Sequence, residues 1–144
     1  MSDKTLKQIA LSGLAFAVVS LPDLYARSNK FLHVEGNCPS WKSRLLHTLA
    51  FYVIMYLLVV YVEKSDESRS QIVKRCLAST LLFFLFSSPE MYRLTDSFKI
   101  LDTADDSTAC PTMQGIAVHT GLFVLAHMLL NHLTIDLGIN VKLN

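Results

Sequence analysis

The sequence predicts an all-α membrane protein of four transmembrane helices, built as two tandem two-helix repeats related by a parallel pseudo-two-fold. Three observations carry this expectation. The chain matches itself: a slide of 67 positions lays Lys7, Ser12, Leu14, Phe16, Ser20, Pro22, Tyr25 and Phe31 onto Lys74, Ser79, Leu81, Phe83, Ser87, Pro89, Tyr92 and Phe98. A slide of 72 lays Cys38-Pro39-Ser40, His47-Thr48, Phe51 and Leu57-Leu58 onto Cys110-Pro111-Thr112, His119-Thr120, Phe123 and Leu129-Leu130. Self-similarity at a fixed offset marks a repeated supersecondary unit. The composition is 51% hydrophobic and 17% charged with mean hydropathy +0.37, whereas soluble domains carry about a quarter charged residues. The charges also cluster, leaving uncharged gaps at 8–21, 45–62, 76–88 and 115–135.

Each unit reads as apolar helix, loop with a Cys-Pro-Ser/Thr turn, apolar helix. Residues 1–62 form the first, 63–75 a polar connector, and 76–144 the second. The change of offset places a short insertion in the second loop, around 101–107. A spanning helix needs about 20 predominantly apolar residues, or about 17 where flanking groups snorkel. The gaps at 45–62 and 115–135 meet this directly. Those at 8–21 and 76–88 are shorter and rely on Lys7 and on Lys74 or Arg75 to bury their stems and lift their charges to the headgroups. The alternative is a soluble bundle of unusually apolar helices. Residues 51–62 have no polar helical face and 81–86 are apolar all round, against the polar stripe of a surface helix. Lys4 and Lys7 before an apolar run also suit a signal peptide, but no small-residue cleavage site precedes Pro22 and the segment recurs in mid-chain at 74–88.

Two helices per unit make both copies enter the membrane in the same direction, unlike the inverted repeats of many transporters. Both termini and the connector then share one face, and the two Cys-containing loops share the other. Lys and Arg divide seven to six between these faces, a bias of one toward termini inside.

Pro22 and Pro89 follow Ser20-Leu21 and Ser87-Ser88 and precede Asp23 and Glu90. Proline near a helix start with a carboxylate behind it suits a new helix turning along the interface. Pro22, Tyr25, Phe31, Trp41, Pro89, Tyr92 and Phe98 are therefore candidate partner-contact residues on an interfacial elbow, with simple aromatic anchoring at the headgroups as the alternative. Cys38 and Cys110 occupy equivalent loop positions and are a candidate disulfide in an oxidising compartment; the alternative is two separate buried thiols. His47 and His119 lie at matching depth in the second and fourth helices and are candidates for bis-histidine haem or metal binding. Histidines bonding to loop carbonyls or headgroups are the competing reading. His127 and His132 add nitrogens to the fourth helix without counterparts in the first unit. Ser40 and Thr112 suit the N-caps of the helices that follow.

Other chemistry is not encoded. The chain has no G-x-S-x-G, glycine-rich phosphate loop or H-E-x-x-H, and no C-x-x-C thiol pair. Acidic residues avoid the helix centres, against a proton-coupled transporter, and a net charge of +1 gives no nucleic-acid footprint. The expectation is a non-enzyme with no cofactor and no metal. Its partners are the bilayer and other proteins, a second copy of the chain among the options.

The repeated words Pro22-Asp23-Leu24-Tyr25-Ala26-Arg27-Ser28-Asn29 and Pro89-Glu90-Met91-Tyr92-Arg93-Leu94-Thr95-Asp96 are each followed by Cys-Pro-Ser/Thr and a His-x-x-x-Phe helix. Together they resemble small membrane proteins of giant viruses, the nucleocytoplasmic large DNA viruses of algae and protists, including chlorovirus-like ones. The first copy departs from the pattern, with Lys42 and Ser43 where the second has Gln114 and Gly115. The resemblance implies a structural protein of the virion's internal membrane, a minor capsid or membrane component tying lipid to the capsid shell, with the loop faces 22–43 and 89–114 carrying partner contacts. Two other classes stand beside it: a haem- or metal-binding electron carrier using His47 and His119, and an accessory structural subunit of an organellar membrane complex. Gly13 and Ala17, spaced by four, suit close helix packing or association of neighbouring copies.

Overall fold

The computed structural model describes residues 3–36, 38–62, 68–98, 101–106, 108 and 110–136, with helix side chains described from Leu6 to Leu130. Helices α1 (Asp3–Val19), α2 (Pro22–Phe31), α3 (Trp41–Leu57), α4 (Arg69–Phe86), α5 (Pro89–Asp96) and α6 (Met113–Asp136) account for most of them, and α3 runs on into one π-helical turn, Leu58–Val62. Extended pairing among the described residues is confined to a bridge between Ala104 and Pro111.

Trp41–Val62 and Met113–Leu130 are each long and apolar enough to cross a membrane. Two bent pairs, Leu6–Val19 with Pro22–Phe31 and Arg69–Phe86 with Pro89–Asp96, pass the same test as units, with bends of 55° and 56°. The chain thus has two to four elements long and apolar enough to span a membrane. Proline explains both bends: it forces the preceding residue out of helical geometry, and Leu21 (ψ 135°) and Ser88 (ψ 140°) are extended. Each proline then opens the next helix, where its missing N–H costs nothing. Ser88 adds a side-chain cap, accepting from Met91 N at 3.2 Å.

The expected connector at 63–75 is corrected by the start of α4. Ser68 and Gln71 form a reciprocal capping box that launches the helix at Arg69, so the polar residues 69–75 are its first two turns. Residues 63–67 lie outside the described residues.

α1 packs mainly against α6 and α4 mainly against α3, with α1 on α3 and α4 on α6 as secondary contacts. Every long helix contributes a stripe spaced by four, which keeps one side of a helix facing its neighbours. The stripes are Ser12 and Phe16 on α1 with Ser20 just past its end; His47, Phe51, Met55 on α3; Ser79 and Phe83 on α4 with Ser87 just past its end; and His119, Phe123, His127 on α6, all buried. The four phenylalanines form the central layer. Phe16 stacks on Phe123 (centroids 4.8 Å) and Phe51 on Phe83 (4.5 Å), while Phe16–Phe83 (5.4 Å) and Phe51–Phe123 (5.8 Å) meet edge to face. Such pairs contribute about 0.5–1.5 kcal/mol each beyond area burial. Hydroxyls and imidazoles, with Met55 on α3, fill the layers on either side. Outward positions are apolar, with Leu14, Leu81 and Leu129 among the most exposed.

Gly13 permits the α1–α6 approach, since a Cβ there would lie 2.7 Å from Val124 Cγ2. Close packing through Gly13 thus operates inside the chain.

Candidate functional site: a paired histidine layer at the loop end

Two matching constellations sit where the loops meet the bundle. His47 Nδ1 lies 2.7 Å from the Val19 carbonyl and its Nε2 lies 3.0 Å from Ser28 Oγ. His119 Nδ1 lies 2.6 Å from the Phe86 carbonyl and its Nε2 lies 2.9 Å from Thr95 Oγ1. Because a carbonyl only accepts, Nδ1–H donates in both; the one proton of each hydroxyl is shared between Nε2 and a carbonyl of its own helix, Tyr25 O for Ser28 at 3.0 Å and Tyr92 O for Thr95 at 2.9 Å. Tyr25 stacks on His47 and Tyr92 on His119, each at 3.9 Å between centroids and within 12° of parallel. Each histidine therefore clamps a proline elbow: one nitrogen ties down the last turn of the preceding long helix, and the other holds the short helix beyond the bend.

The loops are pinned beside these clamps. Asn29 donates from Nδ2 to the Gly36 and Cys38 carbonyls (2.9 and 2.6 Å) and accepts from Ser40 Oγ at 3.1 Å. Asp96, its counterpart at the 67 offset, accepts from Thr103 N and Ala104 N at 3.0 and 3.3 Å. Ser40 caps α3 by accepting from Ser43 N at 3.1 Å, and Thr112 caps α6 by accepting from Gly115 N at 2.9 Å. Gly115 has a specific reason to be glycine: a Cβ would overlap the Thr103 carbonyl, with Thr103 C at 2.8 Å. The insertion carries Thr103 across the start of α6, which is why Ser43 suffices in the first unit and not here. Cys38 and Cys110 are joined by a disulfide with Cα atoms 5.0 Å apart, tying the loops together; Cys76 is buried and takes no part in it.

On the far side of the phenylalanine layer, His127 spans α1 and α4. Its Nδ1 lies 2.9 Å from Ser12 Oγ and its Nε2 lies 3.2 Å from Ser79 Oγ. The side chain of His132 lies outside the described residues.

No family model, curated protein or solved structure matches this chain.

Several expectations are corrected by burial. Tyr25 and Tyr92, expected on a partner-facing elbow, are each only 1% exposed, because the bends turn their rings inward onto the histidines. Pro22 and Pro89 are half-buried at the bends. Phe31, Trp41 and Phe98 do face outward, 77%, 66% and 67% exposed. His47 and His119 do not present lone pairs to a shared haem iron or metal, since both nitrogens of each are engaged within its own unit. Among the described residues no three His, Cys, Asp or Glu side chains converge as a metal site. The residues not anticipated are the hydroxyl partners Ser28 and Thr95 and the serines that hold His127. Their signal lay in the self-match, where Ser12 and Ser79 pair in otherwise apolar helices.

Proposed function

We propose that this chain is a structural, four-crossing membrane protein of a virion, a minor capsid or membrane component that links the internal membrane to the capsid shell. In this reading the two helix–loop–helix units are related by a pseudo-two-fold along the membrane normal. The observation that carries the anchoring role is the division of the surface. The long helices turn leucine and valine outward along their length, suited to acyl chains, while the loop end presents Phe31, Trp41 and Phe98. Its buried histidines are held within the clamps, both ring nitrogens of each engaged, which suits a scaffold more than a reaction centre.

The disulfide supports four crossings over two. Cys38 and Cys110 must lie on one side of the membrane to bond. α3 crosses once between them, so the chain must return through α4 and α5, making that bent pair a span with an interfacial foot. The equivalent pair α1–α2 packs in the same bundle. A bridge on the loop face also favours a non-cytosolic, oxidising compartment for it, in line with termini inside. The repeated Pro-acidic-x-Tyr and Cys-Pro words resembling giant-virus membrane proteins support the virion setting.

Site-specific photo-crosslinkers at Trp41 and Phe98 in the native assembly test the anchoring role. Adducts to neighbouring shell proteins are the expected result, and adducts to lipid alone would count against docking by the loop end.

A further inference from the structure

A groove at the loop end has a basic lining. It encloses about 400 Å³ and is walled by Ala26, Arg27 and Lys30 of α2 and by Val34 and Gly36 of the turn that follows. That volume falls in the range of ligand sites, about 300–1,000 Å³. Arg27 and Lys30 are one turn apart, so they leave the same side of α2, and both are exposed. Among the described residues neither forms an ion pair or a side-chain hydrogen bond, even with Asp23 one turn earlier or Glu35 in the turn. The walls are fixed. Asn29, fully buried, donates to the Gly36 and Cys38 carbonyls at 2.9 and 2.6 Å, which ties the turn to α2. The Cys38–Cys110 bond ties it to the second loop. Gly36 takes φ 90°, and a Cβ there would meet nothing within 4 Å, so glycine serves the backbone conformation and that side of the groove stays open. The Ser28, Asn29 and Lys30 carbonyls at the end of α2 accept from Leu32, Val34 and His33 N–H at 2.9, 2.9 and 3.3 Å. The helix end therefore does not set bare carbonyls against an anion, and a ligand is spared the cost of ordering the walls.

The basic pair is not an inheritance of the repeat. At the offset of 67, Ala26, Arg27 and Lys30 correspond to Arg93, Leu94 and Ser97. The second unit thus builds the same elbow and clamp with one cation and no pair, and its loop carries Asp102, Asp105 and Asp106. Folding alone does not call for Arg27 and Lys30. Two unpaired cations beside a fixed groove select an anion: arginine offers a planar fork of N–H donors that matches phosphate oxygens, and lysine a mobile point charge. Phe31, adjoining Lys30 and 77% exposed, adds an aromatic ring of the kind that settles at headgroup level. We propose that the groove lined by Arg27 and Lys30 binds the phosphate group of an anionic lipid headgroup. The lipid source rests on the loop end lying at a membrane surface, as in the four-crossing reading; the phosphate chemistry does not.

Phosphatidylglycerol is the probe. Thermal unfolding of the delipidated full chain is followed in detergent micelles doped with phosphatidylglycerol or, at the same mole fraction, with phosphatidylcholine. A parallel series compares sodium phosphate with sodium chloride at equal ionic strength. The expected result is a saturable rise in Tm of about 2–4 °C with phosphatidylglycerol. Arg27→Gln/Lys30→Gln should abolish it, and Arg93→Gln, which removes a cation outside the groove, should keep it. Because both side chains are exposed and unpaired, the double variant should match the unmodified Tm in phosphatidylcholine. No response of the unmodified protein to phosphatidylglycerol or phosphate overturns the site, as does a phosphatidylglycerol response that the double variant retains. A response to inorganic phosphate alone, lost in the double variant, overturns the lipid source and makes the ligand a soluble phosphate. Topology is read separately by cysteine labelling, so a phosphate response in a chain that fails the four-crossing pattern would sink that reading and not the groove.

Discussion

Replacing both Cys38 and Cys110 with serine removes the bond that closes the loop end. The cysteines are 72 residues apart in sequence. Closing a loop of that length removes about 15 cal/mol/K of entropy from the unfolded chain, or about 4 kcal/mol at 25 °C. Helices that stay inserted in lipid on unfolding have less freedom to lose than a random chain, so the loss expected for the Cys38→Ser/Cys110→Ser protein is about 2–4 kcal/mol. The assay is SDS titration of the folded protein in mixed micelles. Unmodified protein treated with dithiothreitol should unfold at the lower SDS fraction of the double variant, and the variant should not respond to the reductant. Alkylation supplies an independent count. Of the three cysteines in the chain, only Cys76 should react after unfolding without reductant, and all three after reduction. Identical unfolding with and without dithiothreitol, or three reactive thiols before reduction, would refute the bridge and with it the argument for an even number of crossings between the loops.

Three further outcomes follow from the same geometry. Gly115→Ala drives a Cβ into the Thr103 backbone and strains the Thr112 cap, so it should destabilise by about 2–4 kcal/mol in the same titration; Gly121→Ala, which meets nothing within 4 Å, should be close to neutral. Phe123→Ala opens the central aromatic layer and should cost about 3–5 kcal/mol, and a smaller loss measured by SDS titration would mean that the layer closes around the gap. Side-chain ¹⁵N spectra should show the Nδ1–H tautomer for both His47 and His119, with the Nε2 signal of His119 shifting in Thr95→Ala; an Nε2–H tautomer at either ring would contradict the clamp.

Much of this architecture was legible because the chain repeats itself. The paired prolines foretold both bends and Ser40 and Thr112 foretold both caps, while the equivalent cysteines lie side by side in the structure. Less legible was the direction in which each aromatic points. Tyr25 and Phe31 look alike as interfacial residues, yet one is stacked on His47 and the other is exposed. Both lie on α2 six residues apart, which at about 100° per residue puts them on different faces, and the face that packs on His47 is the one carrying Tyr25. The start of α4 was misplaced because Lys74 and Arg75 read as connector charges, whereas the Ser68–Gln71 capping box overrides them and lets those side chains sit on the helix. The role of His127 was hidden for a similar reason: its partners lie on two other helices, 115 and 48 residues away in sequence, and nothing local marks them.

The proposed four crossings would put the start of α4 and the loops on opposite faces of the membrane. Cysteines introduced one at a time at Leu6, Arg69 and Phe98, in a Cys76→Ser background that keeps the disulfide, can be labelled in sealed vesicles with a membrane-impermeant maleimide. Labelling of positions 6 and 69 from one side and of position 98 only from the other is the predicted result. Labelling of 69 and 98 from the same side would make α4–α5 a re-entrant hairpin and would contradict the four-crossing fold.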